Sequence, residues 1–214
     1  MRAWLVALLM LVAVSARADA DEEDQVEQHT MRFIEKGDHL TISSGALAKL
    51  FDSKAYRALS SGFTSTVVIR IWVYPKDSTT PVAFVLVRRS VVYDVWDEAF
   101  DLQLDEPTGR KRVREKRQAD ALKRLTSIET LPVALLSKIG IKQIYGLAMH
   151  VELNPVSKET LAEVRRWLSQ GTGGGLDRGG AFFGSFVSVF VNPKIPAADR
   201  VLKIRSQPFY RPGP

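Results

Sequence analysis

Cysteine is missing from the chain altogether, and only three histidines, His29, His39 and His150, occur in its 214 residues. The first absence excludes a disulfide framework, a lipid-bearing cysteine and any thiolate chemistry. It suits an exported bacterial protein, in which a stray thiol risks oxidation. An apolar run long enough to span a bilayer is lacking too. The best candidate, AWLVALLMLVAV after Arg2, has about twelve residues against the roughly twenty that a span requires. No internal Gly-Lys-Ser or Gly-Lys-Thr and no zinc-ligand spacing occurs, which removes the commonest phosphate-loop and zinc-module readings.

What stands at the N-terminus instead has the form of a secretory signal: Arg2, the short apolar run, then Ala16-Arg17-Ala18 as small-residue cleavage site. Residues 1–18 are therefore expected to be removed on export, leaving a periplasmic or envelope-peripheral protein without a transmembrane helix. Losing Arg2 and Arg17 takes the formal charge from +6 to +4. So mild a basic bias, on an exported chain without an aromatic-studded basic groove, excludes nucleic acid and leaves another envelope protein, anionic lipid or lipopolysaccharide as partners.

Residues 19–30 begin DADEEDQVEQ, acidic and nearly free of apolar side chains, and are expected to form a disordered tether. A single β-rich domain over 31–206 and a tail over 207–214 complete the expected organisation. The chain is organised around Ser65 to Asp105, three long β-type runs in succession. Val67, Ile69, Ile71 and Val73 alternate with more polar or aromatic neighbours, the period of two of a strand with one buried face. A second run from Val82 to Val95 is long, with Arg88-Arg89 in its middle, and a bend or bulge is expected there. In the third, Phe100, Leu102 and Leu104 point inward, and Glu106-Pro107-Thr108-Gly109 turns the chain. A symmetric turn sets Asp101 opposite Arg114, Gln103 opposite Arg112 and Asp105 opposite Arg110, with Leu102 facing Val113.

Around this centre, an opening hairpin is expected between Met31 and Ser43. A helix over Leu47 to Leu59 ends near Gly62, although Asp52-Ser53 could equally start a shorter one at Lys54. Ala119 to Ile128 is expected to be helical, Thr130-Leu131-Pro132 to open a second helix through Ile139, and Ile144 to Leu153 to return to strand. Ser157 is placed to cap a helix carrying Leu161, Val164, Trp167 and Leu168, and Val201 to Arg205 forms a last strand. Between them lies a Gly-rich loop, 171–184, which follows a helix and lacks the lysine of a nucleotide loop. Phe182, Phe183, Phe186 and Phe190 then stud an almost wholly apolar run to Val191. It reads as a strand buried on both faces, a short core helix, or a contact for a partner or membrane.

The pattern predicts an α+β, β-dominated fold, an antiparallel β-sandwich of Ig-like or C2-like type with short helices over one face or end. Candidate chemistry is sparse. His150 sits one pleat from Glu152 on a polar strand face, two groups where a metal needs three or four and a triad needs a positioned serine. Asp94, Asp97 and Glu98 could act as paired carboxylates for a hydrolase, or simply balance Arg88 and Arg89. In the basic cluster RKRVREKR and just beyond it, Lys111, Lys116, Arg117, Lys123 and Arg124 remain after cross-strand pairing as a candidate anionic-surface patch. No cofactor is implied, and a non-enzymatic binding or assembly module is the expected function.

The order of a signal, a helix ending Ala58-Leu59-Ser60-Ser61-Gly62, strands Val67–Tyr74 and Val82–Trp96, then Ala121-Leu122 with Leu125, Tyr145 and a strand ending Leu153-Asn154-Pro155 resembles the proteobacterial exported proteins grouped as domain of unknown function 4390. The likeness covers residues 31 to 155. The Gly-rich loop and the Phe182 to Val191 run depart from it. The resemblance implies an envelope location and a β-sandwich core, and carries no catalytic residues with it.

Overall fold

Period-two alternation governs most of the chain, and the computed structural model, which describes residues 26–156 and 198–212, turns it into two sheets. In order the elements are β1 (Val26–His29), β2 (Arg32–Lys36), β3 (His39–Ser44), a 3-10 turn (Ala46–Leu50), α1 (Ser53–Ala58), β4 (Ser65–Pro75) and β5 (Ala83–Asp94). There follow β6 (Ala99–Glu106), β7 (Gly109–Glu115), α2 (Gln118–Thr126), β8 (Ile128–Leu135), a second 3-10 turn (Leu136–Lys138), β9 (Ile144–Leu153), β10 (Arg200–Ser206) and β11 (Phe209–Tyr210). The larger sheet runs β1-β10-β9-β4-β5-β6-β7, with β11 also on β9, and the smaller runs β2-β3-β8. All named strand pairs are antiparallel except β1 with β10. The result is a β-sandwich-like α+β fold.

The inward residues of β4, β5 and β9 meet those of β3 and β8 in a core that includes Ile42, Leu47, Ile69, Ile71, Leu131, Leu147 and Val151. Each such side chain contributes roughly 1.5–3 kcal/mol when withdrawn from water. Beyond the reach of the smaller sheet, α2 covers the inner side of β5 and β6. Ala121 and Leu125 pack there with Val91, Phe100, Leu102 and Leu104.

The β6–β7 hairpin has the expected register, with Asp101 opposite Arg114, Leu102 opposite Val113, Gln103 opposite Arg112 and Asp105 opposite Arg110. Several other expectations are corrected. Thr130 to Ile139 is no helix. Thr130-Leu131-Pro132 lies within strand β8, because Leu131 and Val133 are needed on the core side against β3. No bulge interrupts β5 at Arg88-Arg89, whose register with β4 is continuous from Ser65 opposite Val91 to Val73 opposite Ala83. The helix expected from Leu47 is divided: a 3-10 turn ends at Leu50, and the Asp52 carboxylate accepts from the Ala55 amide to start the short α1. That helix ends at Leu59 and not at Gly62, which takes φ +79° in the following turn.

Both ends of the domain reach further than expected. Val26–His29, at the end of the supposed tether, pairs in parallel with β10, and Phe209 in the supposed tail stacks on Phe33 with ring centroids 4.0 Å apart. Backbone pairing and one half-buried aromatic stabilise segments whose composition is otherwise that of loops. The helix capped by Ser157, the Gly-rich loop 171–184 and Phe182, Phe183, Phe186 and Phe190 lie outside the described residues.

Candidate partner-binding surface

The side chains that alternate with the core set on β4, β5 and β9 point away from the smaller sheet, and here the alternation is only half polar. Trp72 lies opposite Phe84 on β5 and Ala148 on β9, while Arg70 lies opposite Leu86 and His150. Phe84 is 53 % and Leu86 54 % exposed, and the Trp72 and Phe84 rings sit 5.5 Å apart. A half-exposed aromatic pair beside an exposed leucine is more than a scattered apolar residue and less than a core.

Next to this patch the sheet face is hollow. Gly146 and Ala148 have almost no side chain, and a trough of about 720 Å³ runs between Tyr74 on β4 and Arg205 on β10. A β-carbon added at Gly146 would meet nothing within 4 Å. No folding constraint of space or φ demands glycine there, since the positive-φ glycines are Gly37, Gly62 and Gly109. Apolar patch and trough adjoin along the Trp72 and Ala148 row, so one ligand could cover both.

Polar groups of this face are tied to one another. Arg70 Nη1 donates to Glu152 Oε2 at 2.6 Å, and Glu152 Oε1 lies 3.3 Å from His150 Nε2. That contact is out of line for a hydrogen bond, and the nitrogen is shut off from solvent. Sequence reading brought His150 and Glu152 together correctly and missed Arg70, which comes from 82 positions away. Among the described residues no group of three or more histidine or acidic side chains is placed to hold a metal ion.

Asp94, Asp97 and Glu98 surround the β5–β6 turn. Asp94 Oδ1 accepts from the amides of Trp96 and Asp97, and Arg114 reaches Asp94, Asp97 and Asp101 together. The hydrogen bond from Arg114 holds the Asp101 carboxyl below its usual range, and the one from Arg110 does the same for Asp105. The acids therefore balance Arg114, while Arg88 lies opposite Asp105 and Arg89 is buried against Glu106. Glu98 occupies the left-handed region at φ +47°. At the tip of this turn Trp96 is 92 % exposed.

Three of the five cations proposed as an anionic-surface patch are engaged locally. Lys116 donates to the Asp97 carbonyl, Arg117 pairs with Asp120 and Arg124 with Glu115. Lys111, on β7, and Lys123, on α2, are exposed. Sequence reading missed the patch of Trp72, Phe84 and Leu86. Its signal was the substitution of apolar for polar residues on the outward positions of both strands.

Fold and surface together define a β-sandwich-like α+β protein with a partly apolar outer sheet face. No family model, no curated protein and no solved structure matches the chain. Among the described residues no helix is long and apolar enough to cross a membrane.

Proposed function

We propose that the chain is a non-enzymatic binding or assembly module of the bacterial cell envelope, exported through residues 1–18, and that it meets a protein partner through the outer face of its larger sheet. The observation that carries this reading is the adjacency of exposed Phe84 and Leu86, the Trp72 ring and the empty trough above Gly146. Withdrawing such apolar area from water favours association, and only the surplus over the lost freedom of the two partners appears as affinity. The scaffold is read as an Ig-like or C2-like sandwich, a type in which faces and edges do the binding while the core only holds them. The likeness to the exported family of domain of unknown function 4390 supports the location.

A protein partner is favoured over anionic lipid because Lys116, Arg117 and Arg124 already have acceptors within the chain. The test is site-specific photocrosslinking in living envelope. A photoreactive residue at Leu86 is expected to yield a discrete crosslinked protein, and one at exposed Arg57 on α1 is not. Equal yields from both positions, or none from Leu86, would refute the reading.

A further inference from the structure

A strand at the rim of a sheet offers unpaired amides and carbonyls to any passing chain, and folded proteins ordinarily block it with charge, proline or brevity. Here most rims are blocked. β7 carries Arg110, Lys111, Arg112 and Arg114, β1 is four residues long, β2 bears Arg32, Glu35 and Lys36, and β8 contains Pro132, which has no N–H to offer. One stretch has no such device. β6 pairs with β5 only from Arg88 onward, so Ala83–Val87, which read AFVLV, are paired with β4 on one side and with no described strand on the other.

This bare edge stands beside a concave surface. It borders a groove of about 520 Å³ between the two sheets, walled by Val82 and Val85 on one side and by Val133 and Leu135 of β8 on the other. Pro107 and Thr108, at the turn where β6 leaves, are part of the same lining. Lys36, His39 and Lys138 line it where β3 and β8 pair through His39 and Leu135. Lys36 and Lys138 are exposed, and neither forms an ion pair among the described residues.

We propose that this groove takes an extended segment of another polypeptide as an added strand on β5. The segment bears apolar side chains at alternate positions, directed against Val85 and the exposed Leu135, and an acidic group at the end beside Lys36 and Lys138. Five residues of edge give about 17 Å of ladder at roughly 3.4 Å per residue, enough for a short strand. Main-chain hydrogen bonds supply the attachment, the valines and leucine select alternate apolar residues, and the lysines orient the peptide by charge. The inference rests on the reading of the chain as a protein-binding module and names both the edge and the chemistry of what it binds.

The test uses the full chain and a synthetic peptide alternating valine with threonine and ending in two aspartates. A copy N-methylated at alternate residues keeps every side chain but loses the N–H groups of one edge. Amide hydrogen exchange at Ala83–Val87 is expected to slow with the first peptide and not with the copy. Val85→Lys, which puts a charge on the groove side of the edge, is expected to weaken binding about tenfold or more, while Arg57→Ser, on α1 and outside the groove lining, leaves it intact. A melting curve establishes that each variant is folded.

Protection that is equal with the N-methylated peptide, or absent with both, overturns the proposal. So does protection, without peptide, of those Ala83–Val87 amides that point away from β4. If it is independent of chain concentration, the chain's own residues fill the groove, and if it rises with concentration, a second copy does. Should the edge fail in these ways while photocrosslinking at Leu86 still succeeds, the outer face binds and the groove does not. Loss of both removes the binding-module reading itself.

Discussion

Arg89 Nη2 lies 2.7 Å from Glu106 Oε1, and the guanidinium that makes this pair is only 4 % exposed. Its Nη1 donates to the carbonyls of Arg124, Leu125 and Ser127 at the end of α2, so one side chain ties β5, β6 and the covering helix together. A cation placed on the last carbonyls of a helix also meets the negative end of its dipole.

Removing this group leaves a carboxylate and three carbonyls without their donor. Arg89→Ala is expected to destabilise the chain by about 3–5 kcal/mol in denaturant titration. The double variant Arg89→Met with Glu106→Leu is expected to recover part of that loss, since no unpaired charge stays behind. A double variant as unstable as the single one would show that Arg89 acts by packing and not by pairing.

Acid should loosen the β6–β7 hairpin. Asp101 and Asp105 both have folded pKa values below their ordinary ones, held there by hydrogen bonds from Arg114 and Arg110. Their unfolded values lie near about 3.9. The stabilisation is thus fully present above that pH and is lost as pH falls through the lower folded values. Both carboxylates are on the surface, where solvent screens them, so the effect is small. Melting temperature measured from pH 7 to pH 2 is expected to fall less steeply for Asp101→Asn with Asp105→Asn than for the parent.

Gly146 offers a way to fill the trough without disturbing the fold. An added β-carbon has open space, and the backbone is not in the left-handed region. Gly146→Val is expected to melt within a few degrees of the parent, a surface change of about ±0.5 kcal/mol. It is also expected to abolish the crosslink formed from Leu86. A fully retained crosslink would place the partner elsewhere.

Lys111 and Lys123 are the exposed remainder of the basic cluster. Lys111→Glu with Lys123→Glu is expected to leave the Leu86 crosslink unchanged. Sedimentation with vesicles containing anionic lipid is expected to be negligible for both proteins at physiological salt. Salt-sensitive sedimentation lost in the double variant would favour lipid as the partner.

Trp96 gives an independent check on the arrangement. Trp96 is 92 % exposed, whereas Trp72 is part-buried beside Phe84. Acrylamide is expected to quench much of the fluorescence lost in Trp96→Phe and little of that lost in Trp72→Phe.

The strands most visible in the sequence were those with one buried face. β4, β9 and the β6–β7 hairpin follow from alternation, turn residues and matched charges, all of which act between near neighbours. Misread were the segments whose conformation depends on distant contacts. Thr130-Leu131-Pro132 has the composition of a helix start, yet β3 recruits it as a strand, and Val26–His29 becomes a strand only because β10 offers it backbone partners.

The sequence by itself determined the period-two layers, the absence of thiol chemistry and the pairing of Asp101 and Asp105 with their arginines, since spacing along the chain is enough to set each of these. Only the tertiary structure decided that Arg89 is buried, that Arg70 joins Glu152 and His150, that Trp72, Phe84 and Leu86 share one face, and that β6 leaves Ala83–Val87 of β5 paired on the β4 side alone. Those facts come from how far one strand runs past another and which sheet covers which. Local propensity carries no information about either, because the free energy that sets them is shared among residues far apart in the chain.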